Sequence, residues 1–312
     1  MRAVRIARFG GPEVIQVVEI AVPAPLAGQV AVRVRAAGVG PWDALVRSGQ
    51  SVLITAERLP LTLGADFAGV IDSVGTGVTA FAPGDEVYGA TNDVFIGAHA
   101  EVAIAKVGKI ARKPRRLDFV AAASVPVVAV TAWQMLFEHA RIAAGQTVLV
   151  LSASGGVGSF AVALAHQYGA RVLATTSAAE AARVRARGAE RVFDALDPNL
   201  ARQAGPVDVV LDMAGGPAQA NGAACLRRGG VFVSVVGPLD PVRAQDADVR
   251  AINFIVDVNT RCLTDLAQAF DAGHLDARVG TVLPLRDAGL AHDMLAGRRP
   301  HAHGKIVLAV DA

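Results

Sequence analysis

Between residues 147 and 168 the chain carries residue types, in an order, that can hold a phosphate. Thr147-Val148-Leu149-Val150-Leu151 is a continuous apolar run of buried-strand type. The small-residue stretch Ala153-Ser154-Gly155-Gly156-Val157-Gly158 follows, and helical patterning then runs from Val157 to Tyr168. Small residues let the backbone come close to a pyrophosphate. The free N–H groups and partial positive charge of a helix N-terminus favour an anion there. Strand, glycine-rich turn and helix in this order predict a dinucleotide site, with Ala153 where the first glycine of G-x-G-x-x-G would stand. The alternative is a glycine turn that serves packing alone.

The next strand bears on the type of dinucleotide. Sites for NAD place an Asp or Glu about 20 residues on, to bind the ribose 2′-hydroxyl. Here that strand ends Thr175-Thr176-Ser177, with no acid. A carboxylate would repel a 2′-phosphate, and its absence admits one. Arg183, one to two helical turns beyond, is either the phosphate's counter-charge or a solvated helix-face arginine. NADP(H) is favoured over NAD(H).

These residues need a frame. The 312 residues suffice for one large or two ordinary domains, and 53% are hydrophobic. No stretch of about 20 apolar residues lacks charge, Gly and Pro, so a membrane span is not expected. The net charge of +2 is interspersed and gives no basic stripe for nucleic acid. Met1 to Ile6 alternates like a strand and lacks a signal-peptide core, so a reducing cytoplasm is expected. Cys225 and Cys262 are then read as buried free thiols, and two cysteines cannot build a four-cysteine zinc lobe.

Residues 1 to about 118 read as short strands punctuated by turns, among them Val30–Arg35, Phe67–Ile71 and Pro83-Gly84-Asp85. This predicts an antiparallel, barrel-like domain. From about 119 the texture becomes strands alternating with helices, which implies a parallel sheet covered on both faces. A helical stretch from Ala121 to Leu136, broken at Pro126, opens it. The final segment reads helix (262–271), strand (279–283), helix (286–295) and strand (305–310). Periodicity leaves open whether it extends the second domain or returns to the first.

Several motifs carry a resemblance over essentially the whole chain. They are Phe9-Gly10-Gly11-Pro12-Glu13-Val14, Gly38-Val39-Gly40-Pro41-Trp42-Asp43, Gly64-Ala65-Asp66-Phe67-Ala68-Gly69-Val70 and Pro83-Gly84-Asp85-Glu86-Val87. Ala121-Ala122-Ala123-Ser124-Val125-Pro126, Thr131-Ala132-Trp133, the glycine turn and Gly304-Lys305-Ile306-Val307-Leu308 complete the set. The chain resembles the medium-chain dehydrogenase/reductases, in the zinc-free quinone oxidoreductase (zeta-crystallin-like) branch. The resemblance implies an α/β protein with a GroES-like β-rich catalytic domain at 1–118 and 262–312. A doubly wound parallel-sheet (Rossmann) dinucleotide domain would interrupt it at 119–261, with substrate in the cleft between them.

Zinc alcohol dehydrogenases of the superfamily take a Cys ligand at the position of Gly40, and their His-Glu pair matches Ala65-Asp66. Neither Gly nor Ala ligates through a side chain, so no metal is expected. His99, His139, His166, His274, His292, His301 and His303 are read as surface or packing residues. Without a Lewis acid, alcohol oxidation is disfavoured, and electron-poor acceptors such as quinones and α,β-unsaturated carbonyls are favoured. The expected activity is NADPH-dependent reduction of such an acceptor. A thioester-specific biosynthetic enoyl reductase, with Arg47, Arg58 and Lys106 as weak support, is the second reading. A cofactor-binding protein with little catalysis is the third.

Residue by residue, the resemblance implies that Ser154, Gly155, Gly156 and Val157 cradle the pyrophosphate. Thr175, Thr176, Ser177 and Arg183 would face the adenosine end, and Thr131 the nicotinamide ribose or phosphates. Val236 and Gly237 would meet the nicotinamide side, Ile255 and Val256 the carboxamide, and Lys305 a phosphate or the substrate. Three departures stand out: Leu45 replaces a frequent Tyr, Gly40 a frequent Asn, and Ala195 a Tyr that often flanks the adenosine phosphate. Asp43, Asn92 and Thr131 remain as polar candidates for catalysis, with a structural hydrogen-bond acceptor as the favoured reading of Asp43. Trp42 and Phe95 are read as shaping an apolar pocket. An apolar sheet edge near Phe254–Val258 and the resemblance together predict a homodimer, with no nucleic-acid or membrane partner.

Overall fold

In a computed structural model, residues 1–246 and 248–310 are described, and residues 247, 311 and 312 of the expected domains lie outside them. The chain divides into two compact units, Met1–Val127 with Val258–Ala312, and Val128–Asp257.

The first unit is β-rich. Its opening stretch contains β1 (Arg2–Ile6), β2 (Gln16–Glu19), β3 (Gln29–Val39), α1 (Pro41–Ser48), β4 (Leu61–Thr62), β5 (Asp66–Val74), β6 (Glu86–Ala90), β7 (Val102–Lys106), β8 (Ile110–Arg112) and α2 (Phe119–Ala123). The helix α3 (Pro126–Trp133) follows and widens into π-type turns over Gln134–Ala140. The second unit then carries β9 (Thr147–Val150), α4 (Gly156–Gln167), β10 (Arg171–Thr175), α5 (Ala181–Ala186), β11 (Arg191–Phe193), α6 (Leu200–Ala204), β12 (Val207–Asp212), α7 (Gly216–Ala223), β13 (Leu226–Ser234), α8 (Pro241–Asp246) and β14 (Arg250–Asn253). The chain returns to the first unit with α9 (Thr260–Asp271), β15 (Val279–Pro284), α10 (Ala288–Leu295) and β16 (Lys305–Ala309).

Both domain boundaries move from where the sequence placed them. Residues 119–127 belong with the first unit because α2 packs on β3 and β5, and Asp66 Oδ1 accepts from Val127 N at 2.8 Å. Residues 258–261 join it too, since the Thr260 hydroxyl donates to the carbonyl of Ile110 at 2.8 Å. Asn259 then caps α9 by accepting from Cys262 N at 3.0 Å. The buried stripe Cys262, Leu263, Leu266 and Phe270 has the spacing of an amphipathic helix.

The main sheet of the first unit runs β15-β16-β3-β5-β6-β8, with β7 also on β3, and β2-β1-β4 forms a smaller sheet. The pairings are antiparallel as predicted, with one exception. β15 and β16 are parallel, because α10 is a crossover between them. The last strand is therefore internal, with Ile306 opposite Val39 and Leu308 opposite Ala37 on β3. Phe67, Ile71, Val32, Ile110 and Leu308 fill the core beneath this sheet.

The second unit is a six-stranded sheet ordered β11-β10-β9-β12-β13-β14, and every pairing is parallel. Valine and leucine dominate β9, β10 and β12, as a sheet buried on both faces demands. Its order reverses between β9 and β12. Ligands of such sheets bind beyond the carboxyl ends of the strands at this reversal.

Both cysteines are free and buried. No described helix is long and apolar enough to cross a membrane.

Candidate functional site

The glycine turn sits at the carboxyl end of β9, at the reversal point. Ser152 adopts a left-handed φ of 58°, which folds the chain back, and Gly155 N donates to Ser152 O at 3.1 Å. Helix α4 starts at once, its first intrahelical bond running from Ser159 N to Gly155 O at 2.9 Å. The N–H groups of Gly156, Val157 and Gly158 precede that bond and point out of the helix N-terminus. Gly158 is sterically required. A Cβ there would lie 2.4 Å from Ser152 O and 2.8 Å from Ala153 Cα. Ser154, Gly155, Gly156 and Val157 thus form a small-residue cradle that fits a pyrophosphate.

Helix α4 is held to β10 by the turn itself. Ala153 N donates to Thr175 O at 2.9 Å, and Ser152 N donates to Thr175 Oγ1 at 3.3 Å. Thr175 is fully buried in this latch. Thr176 Oγ1 donates to Ser154 Oγ at 2.8 Å, which brings these two predicted residues together. Ser177 accepts from Glu180 N through its carbonyl at 3.0 Å. Arg183 is engaged: its Nη1 contacts Glu180 Oε1 at 2.9 Å, with the arginine 58% and the glutamate 14% exposed. Glu180 is a carboxylate that the sequence reading missed. It lies five residues past the strand rather than at its end, where an acid was sought.

On the other side of the reversal, Asp212 ends β12 fully buried. Its Oδ1 accepts from Ala214 N and Gly215 N, both at 3.0 Å, and its Oδ2 from Ser234 Oγ and Gln219 Nε2, both at 2.8 Å. Ser234 Oγ in turn accepts from Val236 N and Gly237 N at 3.2 and 3.3 Å. Asp212 therefore positions the loop that carries Val236 and Gly237, and nothing within 4 Å would meet a Cβ on Gly237. Val236 and Ile255 are large apolar side chains left 51% and 49% exposed. The segment bearing Ile255 and Val256 is pinned by a reciprocal pair. Gln134 Nε2 donates to Asp257 O at 3.1 Å, and Asp257 N donates to Gln134 Oε1 at 3.0 Å. Thr131 is buried on α3.

In the first unit, Lys305 at the start of β16 pairs with Asp66 at the start of β5, at 2.8 Å and with side chains 11% and 3% exposed. Gly38 makes room for the pair. A Cβ on it would stand 2.6 Å from Ala123 O and 3.0 Å from both Lys305 Cε and Asp66 Cβ. A Cβ on Gly40 would lie 3.1 Å from Lys305 Nζ. The ammonium thus fills the space beside the residue that matches a zinc ligand in metal-dependent relatives. Gly40 and Ala65 offer no donor atoms, and the ammonium would repel a cation. This corner does not fit a catalytic zinc.

Asp43, on α1, accepts from Gly40 N through Oδ2 at 2.8 Å and so caps its own helix, while Oδ1 has no protein partner. Burial raises its carboxyl above the usual carboxylate range, against the lowering effect of His99, the Gly40 N–H and Lys305. His99 Nε2 lies 3.0 Å from Gly38 O, and its Nδ1 has no protein partner. His292 on α10 is 1% exposed with neither ring nitrogen bonded, and burial pushes its imidazole down to about 3. Arg47 Nε and Nη1 and Trp42 Nε1 are likewise buried without partners.

Asn92 does not join this group. Its Nδ2 donates to Ile96 O at 2.8 Å and its Oδ1 accepts from Val94 N at 3.1 Å, closing the loop that holds Phe95 at a φ of 59°. Phe95 meets Trp42 edge-on at 5.6 Å. Leu45 is 38% exposed on α1 and brings no polar group.

Comparison with known proteins gives two family matches. The alcohol dehydrogenase GroES-like domain matches residues 26–115, and the zinc-binding dehydrogenase family matches residues 187–308. The chain is similar to the human quinone oxidoreductase, with 33% identity covering 99% of this chain and 97% of the human one. It is also similar to the solved quinone oxidoreductase of Coxiella burnetii, with a TM-score of 0.90, 29% identity and coverage of 100% and 99%. A mycobacterial protein solved in complex with NADPH has a TM-score of 0.86 and 29% identity, with coverage of 99% and 100%.

Proposed function

The chain belongs to the medium-chain dehydrogenase/reductases, in the zinc-free quinone oxidoreductase branch, and from that membership we propose that it reduces quinones or α,β-unsaturated carbonyls with NADPH. The observation that carries this reading is the small-residue cradle at the reversal point of the parallel sheet, whose free N–H groups suit a pyrophosphate. When bound, the dinucleotide supplies the hydride.

In this reading Ser154, Gly155, Gly156 and Val157 hold the pyrophosphate, and Thr176 and Ser177 face the adenosine. Val236, Gly237, Ile255 and Val256 offer the nicotinamide an apolar, close-approach wall, with Thr131 towards the ribose. Lys305 supplies a fixed positive charge where relatives of the zinc type carry a metal. Such a charge stabilises an acceptor oxygen as it becomes negative. The enzyme works without zinc, and its preference for electron-poor acceptors follows from that.

NADPH rather than NADH is favoured by the lack of an acid at Thr175-Thr176-Ser177 and by Arg183. For a 2′-phosphate to bind, Arg183 must turn from Glu180 to the phosphate. The protein is proposed to work in the cytoplasm as a homodimer.

Steady-state oxidation of NADPH and NADH against 1,4-benzoquinone, a short enal and an acyl-thioester enone tests the reading. Turnover of the first two with NADPH is expected. Turnover confined to the thioester would replace this reading with a biosynthetic enoyl reductase. Tight NADPH binding without turnover of any acceptor would leave a cofactor-binding protein.

A further inference from the structure

Two turns at the carboxyl ends of neighbouring strands of the second unit meet on one carboxylate. Asp212 and Ser234 stand opposite each other in the ladder of β12 and β13, both fully buried. Asp212 Oδ1 accepts from Ala214 N and Gly215 N, which shapes the turn into α7. Its Oδ2 accepts from Ser234 Oγ and from Gln219 Nε2 of α7, both at 2.8 Å. The second turn hangs from these two side chains. Ser234 Oγ accepts from Val236 N at 3.2 Å and from Gly237 N at 3.3 Å, and Gln219 Nε2 donates to Gly237 O at 3.2 Å. The carboxylate thus reaches three backbone groups of the Val236–Gly237 turn, each through one intermediary.

We propose that Asp212 is a positioning residue for the nicotinamide half of the dinucleotide: through Ser234 and Gln219 it holds the Val236–Gly237 turn in its binding conformation before any ligand arrives. The inference rests on the dinucleotide reading above. In a doubly wound sheet a dinucleotide straddles the reversal of strand order, with its adenosine on the side of the strand that follows the glycine turn and its helix. Here that strand is β10, so with the pyrophosphate at α4 the other nucleotide falls to the side of β12 and β13. The turn there is open to a close approach. A Cβ on Gly237 would meet nothing within 4 Å, and the Val236 side chain is 51% exposed. A turn already fixed in shape binds without the entropic cost of ordering it.

The network has one arrangement of hydrogens. Val236 N and Gly237 N can only donate, and they occupy both lone pairs of Ser234 Oγ. The serine hydrogen is left for Asp212 Oδ2. Gln219 Nε2 likewise directs its two hydrogens to Asp212 Oδ2 and Gly237 O. Asp212 therefore accepts four bonds and donates none, which a carboxylate can do and an amide of the same shape cannot. In Asp212→Asn the amide oxygen can keep Ala214 N and Gly215 N. The new NH2 then faces a serine oxygen already filled and a glutamine NH2, donor against donor. The reverse orientation would set the NH2 against two backbone N–H groups that cannot rotate away. The side chains of Ser234 and Gln219 must give instead, which releases the Val236–Gly237 turn while the turn at 213–216 holds.

The test is binding to the full chain by isothermal titration calorimetry. Each dinucleotide is set against the fragment that shares its adenosine end, NADPH against 2′,5′-ADP and NADH against ADP. Asp212→Asn should weaken the tighter-bound dinucleotide about tenfold, as when about one molecule in ten holds the competent turn, with the matching fragment unchanged. In the free variant, amide exchange by NMR should rise at Val236 and Gly237 and stay at the wild-type level at Ala214 and Gly215. Equal losses for dinucleotide and fragment would mark a merely structural residue and overturn the inference. Wild-type affinity for both, or unchanged exchange at Val236 and Gly237, would overturn it too and leave the dinucleotide reading standing. Wild-type protein that binds neither dinucleotide would overturn that reading itself. Should Asp212→Asn fail to fold, Ser234→Ala decides, since it removes the acceptor of Val236 N and Gly237 N and leaves Asp212 its other three donors. The same split between dinucleotide and fragment is expected of it, and equal losses overturn the inference.

Discussion

Gly158 shows how little room the dinucleotide turn allows. With its Cβ position 2.4 Å from Ser152 O, no side chain can be accommodated without moving α4 off the end of β9. Gly158→Ala is expected to lose roughly 1–3 kcal/mol of stability by urea denaturation, as overpacking does, and to weaken NADPH binding at the same time. The same scale governs cofactor choice. Arg183→Ala should weaken NADPH binding about tenfold, a modest loss for a half-exposed arginine, and leave NADH unchanged. Glu180→Gln should tighten NADPH, because it frees Arg183 from its partner. Fluorescence titration with both dinucleotides reads each outcome, and an unchanged NADPH affinity in Arg183→Ala would remove Arg183 from the site. Lys305 and Asp66 are buried against each other, so the loss of either leaves a buried charge uncompensated. Lys305→Met should cost about 3–5 kcal/mol in denaturation, and the double variant with Asp66→Asn should recover most of it.

Elements differ in how openly the sequence declares them. The strand at β9, the turn and α4 were legible together, because a continuous apolar run, small residues and a helical period are all local signals. The expected helix through Leu136 was not foreseen as a π-type segment. The reciprocal hydrogen bonds between Gln134 and Asp257, 123 residues apart, were likewise not legible in the sequence. The Lys305–Asp66 pair, 239 residues apart, was equally hidden. Glu180 was missed for a different reason, since a rule about strand ends does not see a carboxylate in the following helix. Gln134→Ala should detach the strap that carries Ile255 and Val256. It is expected to raise amide exchange across 254–257 and leave β9–β14 protected, which hydrogen-exchange mass spectrometry would show.

At the scale of the molecule, two further outcomes follow. Burial holds the folded His292 imidazole near 3 while the unfolded chain keeps an ordinary histidine near 6.5. Between these values the unfolded state binds the extra proton. Stability therefore falls as pH drops from about 6.5 towards 3, by up to about 1.4 kcal/mol per pH unit, and His292→Leu should flatten that slope in denaturation at pH 4 to 6.5. The proposed homodimer predicts twice the chain mass by light scattering at micromolar concentration, and a monomer there would refute it. The position of β16 reaches beyond equilibrium to biosynthesis. Residues 128–257 are contiguous, so their six-stranded sheet needs no strand translated after them. The other unit, begun at residue 1, lacks an internal strand until Lys305–Ala309 emerges between β15 and β3. Until then its first half must wait with the edge of β3 uncovered, so the half translated first is the half finished last.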